Sequence, residues 1–100
     1  PDGKDPAYLA GVAQKPCCVC VAFGLVQLSR TTVHHTICDR KIKNRKSPDR
    51  DAIALCECHH QGLLGIDPTK LAIHKGVETW VEAYGRDTDY IEGTREAVGF

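Results

Sequence analysis

The first apolar positions of the chain recur at the spacing of a helix. Asp5 followed by Pro6 is typical of a helix start, because aspartate accepts hydrogen bonds from the free amides of the first turn and proline fits the first helical position. An apolar stripe follows and ends before Pro16, and its members are Tyr8, Leu9, Val12 and Ala13. We therefore predict a first helix that begins at Asp5.

The next pattern is typical of strands. Residues 21–26 are mostly apolar, and residues 31–33 (Thr-Thr-Val) are β-branched. Two such runs separated by a short polar stretch are typical of strands that are joined by a turn. We predict a short antiparallel β-hairpin that turns at residues 27–30. The segment 38–51 is polar and basic and contains Pro48, and it is predicted to be a long loop.

Helical patterns dominate the second half of the chain. Residues 53–55 are apolar, and the segment that follows them is predicted to be a helix that runs through Leu64. The clearest helix spans residues 76–84 and is followed by Gly85, which is typical of a C-cap. Its apolar residues lie at i, i+3, i+4 and i+7, and they are Val77, Trp80, Val81 and Tyr84.

The final helix is predicted to be capped by Asp87 and to run through Val98. The length of 100 residues fits one domain, residues 1–100. Because the chain begins at Pro1 without a methionine, we expect it to be a fragment of a longer protein. The predicted fold class is α+β, with one β-hairpin surrounded by helices.

The overall charge does not indicate a particular partner. Lys and Arg number 13 and Asp and Glu number 13, so the net charge is zero and composition alone does not indicate a nucleic-acid binder. No apolar run approaches the ~18–20 residues that cross a membrane, and no signal peptide is visible, so no membrane partner is expected. The charge is uneven, however, because basic residues crowd one segment: Arg40, Lys41, Lys43, Arg45, Lys46 and Arg50.

The six cysteines favour metal binding over disulfides. Three of them fall within residues 17–20, too close to pair with each other without strain, and histidines are interleaved with the others. A disulfide-stapled secreted domain is the alternative, but such a framework has no use for the histidines. Cysteines that bind metal imply a reducing environment, so a cytoplasmic location is expected.

Four cysteine and histidine residues have the spacing of a tetrahedral zinc site. Cys17-x-x-Cys20 supplies one pair, and Cys56-x-x-His59 supplies another with the same two intervening residues. A tight knuckle turn with this spacing directs both side chains toward one point, so we predict a Cys₃His site for structural zinc. Two neighbouring cysteines would break this spacing and are expected to be bystanders: Cys18 and Cys58.

The histidines exceed what one structural zinc requires. Four of the five form two doublets, His34-His35 and His59-His60. Phosphodiester hydrolysis needs a base that activates water and a cation that stabilises the developing charge. Imidazole suits both roles, because its pKa of about 6.5 leaves it mostly neutral at physiological pH and it binds divalent transition metals. Because neighbouring residues of a strand point to opposite faces, residues 34 and 35 must lie where a strand ends or bends.

These motifs together resemble those of the HNH (ββα-metal) nucleases that carry a zinc knuckle. More narrowly, they are similar to the phage recombination-enhancement nucleases, which are RecA-dependent. The resemblance runs from about Pro6 to Gly85. The motifs that carry it are Cys17-Cys18-Val19-Cys20, Val33-His34-His35, Leu55-Cys56-x-x-His59-His60-Gln61-Gly62, Ala72-Ile73-His74 and Trp80-x-x-x-Tyr84-Gly85.

The resemblance implies a small zinc-stabilised domain with a ββα-metal (HNH) core and assigns roles to single residues. It makes His35 the general base, and His34, His60 and His74 ligands of a catalytic divalent cation, which is Mg, Mn, Zn or Ni. Asp51 stands where this family usually has asparagine, and three roles remain open for it: orienting His35, contacting the metal, or capping the following turn.

The function implied by the resemblance is that of a metal-dependent DNA endonuclease. Its partners would be DNA and a RecA filament, it would be encoded by a phage or prophage in a bacterial cell, and a monomer is expected. The basic loop would contact DNA phosphates, through Arg40, Lys41, Lys43, Arg45 and Lys46. The alternative is a non-catalytic zinc module that binds nucleic acid or protein.

Overall fold

A two-stranded antiparallel sheet is surrounded by helices in the computed structural model, which describes residues 3–40 and 45–100. Strand β1 (Thr31–His35) pairs with β2 (Ala52–Cys56), so that Thr31 lies opposite Cys56 and His35 opposite Ala52. All five residues of β2 are buried. The small α+β fold with an antiparallel hairpin is therefore as predicted, although one of its strands is not.

Five helices and three 3₁₀ turns complete the described part of the chain. The helices are α1 (Pro6–Ala13), α2 (Cys18–Ala22), α3 (Glu57–His60), α4 (Val77–Tyr84) and α5 (Ile91–Val98). The 3₁₀ turns are Asp49–Asp51, Ile73–Lys75 and Asp87–Tyr90. No helix among these residues is long and apolar enough to cross a membrane.

The predicted ends of three helices are confirmed. Helix α1 begins at the expected aspartate, whose Oδ1 accepts a hydrogen bond from the Tyr8 amide at 3.1 Å. Helix α4 ends at Gly85, which has φ of 89° and therefore takes a conformation that favours glycine. Helix α5 ends at Val98, as expected.

The predicted strand at residues 21–26 is wrong. Residues up to Ala22 belong to α2, and the strand that pairs with β1 is β2, which follows the long loop. The Sγ of Cys17 accepts a hydrogen bond from the Cys20 amide at 3.5 Å and thereby caps the first turn of α2. The residues directly after the first cysteine pair are therefore helical and do not form a strand. Because β2 is buried at every position, it lacks the alternation that marks a half-buried strand.

Two predictions for the second half are also wrong. The helix expected to run through Leu64 ends at His60, because Gly62 (φ 63°) turns the chain and its amide donates to the carbonyl of Glu57 at 2.8 Å. Asp87 does not cap the last helix. Its carboxylate is fully buried, and the turn that it begins is closed by the side chain of Asp89 instead.

Two buried clusters hold the sheet and helices together. The larger lies around Trp80, which is completely buried and whose Nε1 donates to the carbonyl oxygen of His59 at 3.1 Å. The smaller contains Tyr8, whose hydroxyl donates to the carbonyl oxygen of Ala52 at 3.0 Å. Both tyrosine and tryptophan thus bury their rings while satisfying their polar atoms. These two contacts fix α4 and α1 against the hairpin that carries the histidines.

Candidate metal centres

The predicted zinc ligands converge on one buried point. Their ligand atoms all lie within 4.8 Å of one another. The Nδ1 atom of His59 is 3.5 Å from the Sγ of Cys17, 3.7 Å from that of Cys20 and 3.3 Å from that of Cys56. Bonds of about 2.3 Å to sulfur and 2.0–2.1 Å to nitrogen in a tetrahedron give S···N distances of about 3.5 Å. The cluster therefore has the size of a zinc site.

Each half of this cluster comes from a short local structure. Cys17 and Cys20 flank the first turn of α2, while Cys56 ends β2 and His59 lies one turn further, in α3. The amide of Cys17 donates to the side-chain oxygen of Gln27 at 2.7 Å. This hydrogen bond fixes the first cysteine pair against the segment that follows α2. Pairing of β1 with β2 then brings the second knuckle to the first.

The four residues fit a thiophilic metal. All four are buried, and three cysteine sulfurs with one histidine nitrogen are a ligand set that binds zinc. The hydrogen bond between Cys17 and Cys56 raises the pKa of the Cys17 thiol. The same bond, together with a second one from His59, lowers the pKa of the Cys56 thiol to about 3. One thiolate is thus stabilised before any metal binds. A buried Cys₃His cluster of this kind indicates a structural metal such as zinc.

The two bystander cysteines lie outside this cluster, as expected. Cys58 is buried, and its amide donates to the hydroxyl of Ser29 at 3.1 Å. Cys18 is partly buried, and burial raises the pKa of its thiol to about 12. None of the six cysteines forms a disulfide.

A second cluster brings together three imidazoles, those of His34, His60 and His74. Their ligand atoms lie within 4.8 Å of one another. The ring centroids are 4.9 Å apart for His34 and His60, 4.7 Å for His60 and His74, and 5.7 Å for His34 and His74. The three residues come from β1, from α3 and from the turn before α4. Their exposure increases in that order, so the cluster opens to solvent at His74.

Hydrogen bonds occupy one nitrogen of two of these rings and leave the other nitrogen of each ring with a lone pair. Nε2 of His34 lies 2.8 Å from Oδ2 of the buried Asp87. The hydroxyl of Thr32 donates to the Leu55 carbonyl, so the same oxygen must accept from Nδ1 of His60 at 2.7 Å. Nδ1 of His34 and Nε2 of His60 are therefore the free acceptors. A partner on the second ring nitrogen is the usual arrangement of histidines that bind metals.

The protonation of this cluster also suits metal binding. Burial, followed by the neighbouring His34 and His74, lowers the pKa of His60 to about 4. Burial lowers the pKa of His74 as well. Burial alone would raise the pKa of Asp87, but the hydrogen bonds it accepts from His34 and from the Ile37 amide outweigh this and lower it to about 2. The site thus presents neutral imidazoles at His60 and His74 beside the ionised carboxylate of Asp87.

The predicted general base, His35, ends β1 and lies outside the three-histidine cluster. Its Nε2 is 2.9 Å from Oδ1 of Asp49, whose other carboxylate oxygen accepts from the Asp5 amide at 2.7 Å. Both His35 and Asp49 are mostly buried. His35 directly follows His34, a member of the cluster, in β1. With Nε2 donating to a carboxylate, the lone pair on Nδ1 of His35 is available to accept a proton.

Asp51, the other predicted catalytic residue, is not brought to His35. Its Oδ1 pairs with Nη2 of Arg95, and its carbonyl oxygen accepts from the hydroxyl of Thr36 at 2.9 Å. In the described part of the chain it belongs to neither metal-ligand cluster. The carboxylate that contacts the predicted base is Asp49, two residues earlier.

The basic loop lies beside the end of β1. Arg40, Arg45 and Lys46 are exposed and line a cavity of about 500 Å³ together with Thr36 and other residues. Two further predicted DNA contacts lie outside the described residues, Lys41 and Lys43. The described basic residues thus stand near the predicted base, since Thr36 follows it directly.

Sequence reasoning did not find the two carboxylates that contact the histidine doublet. Asp87 is 53 positions from His34 and Asp49 is 14 from His35. No local spacing marks either contact, because a carboxylate that supports a ligand needs no fixed sequence distance from it. The acidic neighbours of the basic loop were the available signal for Asp49.

Comparison of the chain with protein-family models, with curated proteins and with solved structures finds no match.

Proposed function

We propose that the protein is a metal-dependent DNA endonuclease of the HNH type, which hydrolyses phosphodiester bonds. The observation that carries the proposal is the convergence of His34, His60 and His74, the first of which is followed in β1 by His35 with its partner Asp49. A purely structural cluster has no need for a histidine–carboxylate pair in the next position of the strand. Water-activating base and cation site are the two elements that hydrolysis requires.

The three clustered imidazoles are the residues that would hold the catalytic cation. Their ligand atoms lie within 4.8 Å of one another, and the hydrogen bonds on the first two rings each leave one nitrogen free to bind a cation. When bound there, a divalent cation supplies positive charge that stabilises the phosphate oxygens as negative charge develops. Nitrogen donors favour transition metals such as Zn, Ni or Mn over Mg.

In this proposal His35 accepts a proton from the attacking water. Asp49 fixes the tautomer by accepting from Nε2, so that the proton moves to Nδ1. The resulting imidazolium is stabilised by the adjacent carboxylate, as in other histidine–carboxylate pairs. The mostly buried setting of both side chains limits competition from bulk water for this hydrogen bond.

DNA would approach across the exposed side of the cluster. Arg40, Arg45 and Lys46 are exposed beside the end of β1 and would contact backbone phosphates. Because the net charge of the chain is zero, its own electrostatic attraction to DNA would be weak. Presentation of DNA by a RecA filament, which the family resemblance suggests, would compensate for this.

The proposal is tested by nicking of supercoiled DNA with Zn²⁺, Ni²⁺, Mn²⁺ or Mg²⁺, in the presence and absence of RecA. His35→Ala is expected to reduce the rate by roughly 10²–10⁴-fold, because a positioned general base contributes about that much. Added imidazole should restore part of the rate in this variant. Metal content and DNA affinity should match those of the wild type, which excludes misfolding as the cause.

Full nicking by His35→Ala would disprove the assignment of the base. Absence of nicking by the wild type with every divalent cation, with and without RecA, would disprove the nuclease function altogether. The two results are distinct, because the first requires an active protein and the second an inactive one.

One observation favours a second function, that of a non-catalytic zinc module that binds a partner. Several apolar side chains are exposed in two segments, residues 21–28 and 63–71. A hydrogen bond of 2.8 Å from Lys70 Nζ to the carbonyl oxygen of Val26 joins the two segments. They include Val21, Val26, Leu28, Leu63 and Leu64. Exposed apolar clusters often mark interaction surfaces.

Metal stoichiometry separates the two functions. The nuclease should bind one tight zinc ion and a second, weaker ion that is lost when His34 and His60 are both replaced by alanine. A binding module should hold one zinc ion, with a stoichiometry that this double replacement does not change.

A further inference from the structure

A cavity of about 350 Å³ adjoins the histidine cluster and is unused by the proposed mechanism. Its wall contains Gly62, two residues after His60, and Lys75, directly after His74. Two of the clustered histidines therefore lie next to residues that line it. The rest of the wall is partly polar, through Lys70, Asp67 and Thr79, and otherwise consists of glycine and apolar residues: Gly65, Gly76, Cys58, Ile66, Pro68, Leu71 and Ala72.

The two lysines of this cavity differ in how their charges are used. The ammonium of Lys70 pairs with the carboxylate of Asp67 and also donates to the Val26 carbonyl, and its side chain is almost fully buried. Lys75 forms no ion pair within residues 3–40 and 45–100. The cavity wall therefore carries one positive charge that no carboxylate of the described chain neutralises.

Gly62 provides space for this free ammonium. A Cβ atom at Gly62 would lie 3.5 Å from Nζ of Lys75 and only 2.9 Å from the Cβ of Ala72. The residue also has φ of 63°, which favours glycine. A side chain at this position would collide with Ala72 and would cover the ammonium of Lys75. Thr79 adds a hydroxyl to the same wall.

We propose that this cavity binds a phosphate oxyanion, namely a DNA backbone phosphate adjacent to the one at the histidine cluster. The proposal rests on the proposed function for the identity of the anion. A cationic, glycine-walled concavity with a hydroxyl is suited to a tetrahedral oxyanion, which takes charge-assisted hydrogen bonds. Its position, one residue from His74, would fix the register of the strand relative to the cation.

The test is the salt dependence of DNA binding, measured by fluorescence anisotropy. The full zinc-loaded chain is used without added divalent cation, so that DNA is bound but not cleaved. Lys75→Gln should weaken binding roughly five- to tenfold at about 0.1 M salt, because one fewer counterion is released. The slope of log affinity against log salt should become shallower by about 0.9 for a duplex or about 0.7 for a single strand.

Two variants control for the general effect of charge. Lys4→Gln removes an exposed lysine that does not line this cavity, and should change both quantities much less. Lys75→Arg keeps the charge and should retain most of the affinity. Equal effects of Lys75→Gln and Lys4→Gln would overturn the proposal, because Lys75 would then act only through net charge.

A second measurement separates a DNA phosphate from a free one. Inorganic phosphate is titrated while the amide resonances of Gly62, Gly65 and Thr79 are followed by NMR. Weak binding that competes with DNA supports the proposal. Tight, saturable phosphate binding with an unchanged DNA affinity in Lys75→Gln would identify a free-anion site and overturn it.

Failure of this inference is distinguishable from failure of the proposed function. Nicking by the wild type together with an unchanged salt slope in Lys75→Gln would disprove the phosphate site and leave the nuclease intact. The specific loss in Lys75→Gln, without nicking under any condition, would support the phosphate site and disprove the nuclease.

Discussion

At the scale of single residues, the two imidazoles of the His34-His35 doublet receive different carboxylate partners. Asp87, which is fully buried, accepts from His34, while Asp49 accepts from His35. The first carboxylate fixes the free lone pair of a candidate ligand, and the second fixes that of a candidate base. Identical side chains in adjacent positions thus acquire different chemistry from their hydrogen bonds.

Replacement of Asp87 by asparagine should weaken metal binding at the histidine cluster. We expect a loss of about 10–100-fold in affinity, because the partner of a ligating histidine fixes its tautomer and raises its basicity. Titration with Zn²⁺ or Ni²⁺ after the cysteine site is filled measures this change. Asp39→Asn is the control, since Asp39 is exposed and pairs with Arg86. Unchanged affinity in Asp87→Asn would show that the contact to His34 is not functional.

Asp49 and Asp51 should differ in their effect on nicking. Asp49→Ala removes the acceptor of His35 Nε2 and should lower kcat by about tenfold or more, with little change in KM. Asp51→Ala removes a surface ion pair with Arg95 and should change kcat by less than about threefold. Nicking kinetics of the two variants measure this difference. A larger loss of kcat in Asp51→Ala than in Asp49→Ala would show that Asp51, and not Asp49, supports His35.

At the scale of elements, local signals predicted α1 and α4 and missed the strand pairing. The aspartate–proline start of α1 and the helical spacing of Trp80 in α4 depend on neighbouring residues, and both predictions are confirmed. The strand that pairs with β1 lies on the far side of the long loop. The apolar run at residues 21–26 is nearer in the sequence, and the prediction therefore pairs that run with β1. Val21 and Val26 of this run are exposed instead, at 65% and 73%.

The metal ligands were predictable to a greater extent than the residues that support them. A two-residue spacing between Cys17 and Cys20, or between Cys56 and His59, follows from the geometry of a single turn. The clustering of the other histidines came from the family resemblance. Their hydrogen-bond partners, such as Thr32 for His60, arise only when the sheet and helices are assembled.

Loss of the cysteine site should abolish the fold, because it joins α2 to the end of β2. We expect Cys20→Ser or a strong chelator to remove the cooperative thermal transition in circular dichroism. Structural zinc supplies about 10–16 kcal/mol in small domains, which equals or exceeds the usual stability of a domain. Cys18→Ser is the matched control and should keep its zinc and its transition, since Cys18 lies outside the cluster. A folded, metal-free Cys20→Ser would contradict the structural role.

At the scale of the whole molecule, buried tyrosines should make stability fall at alkaline pH. Burial raises the pKa of Tyr90 to about 12 and also raises that of Tyr8. Since the unfolded value is about 10, the folded state holds these protons more tightly. Their contribution is complete below pH ~10 and is lost as pH rises toward about 12.

Tyrosinate absorbance during an alkaline titration measures this effect. The last step of the folded protein should lie near pH 12 and should disappear in Tyr90→Phe. Denaturation curves at increasing pH should show a less steep loss of stability in that variant. Ionisation of every tyrosine by pH ~11 in the folded protein would contradict the burial of Tyr90.

The adjacency of His59 and His60 has a consequence for ion exchange. A single peptide bond joins a residue of the buried Cys₃His cluster to a residue of the solvent-accessible cluster. Substitution of cadmium, a larger ion, at the sulfur site would push the first ring outward and carry the second with it. The rate of the proposed hydrolysis would then depend on which ion fills the Cys₃His cluster, although that ion does not contact the DNA. The ion at the histidine cluster and all side chains would be unchanged.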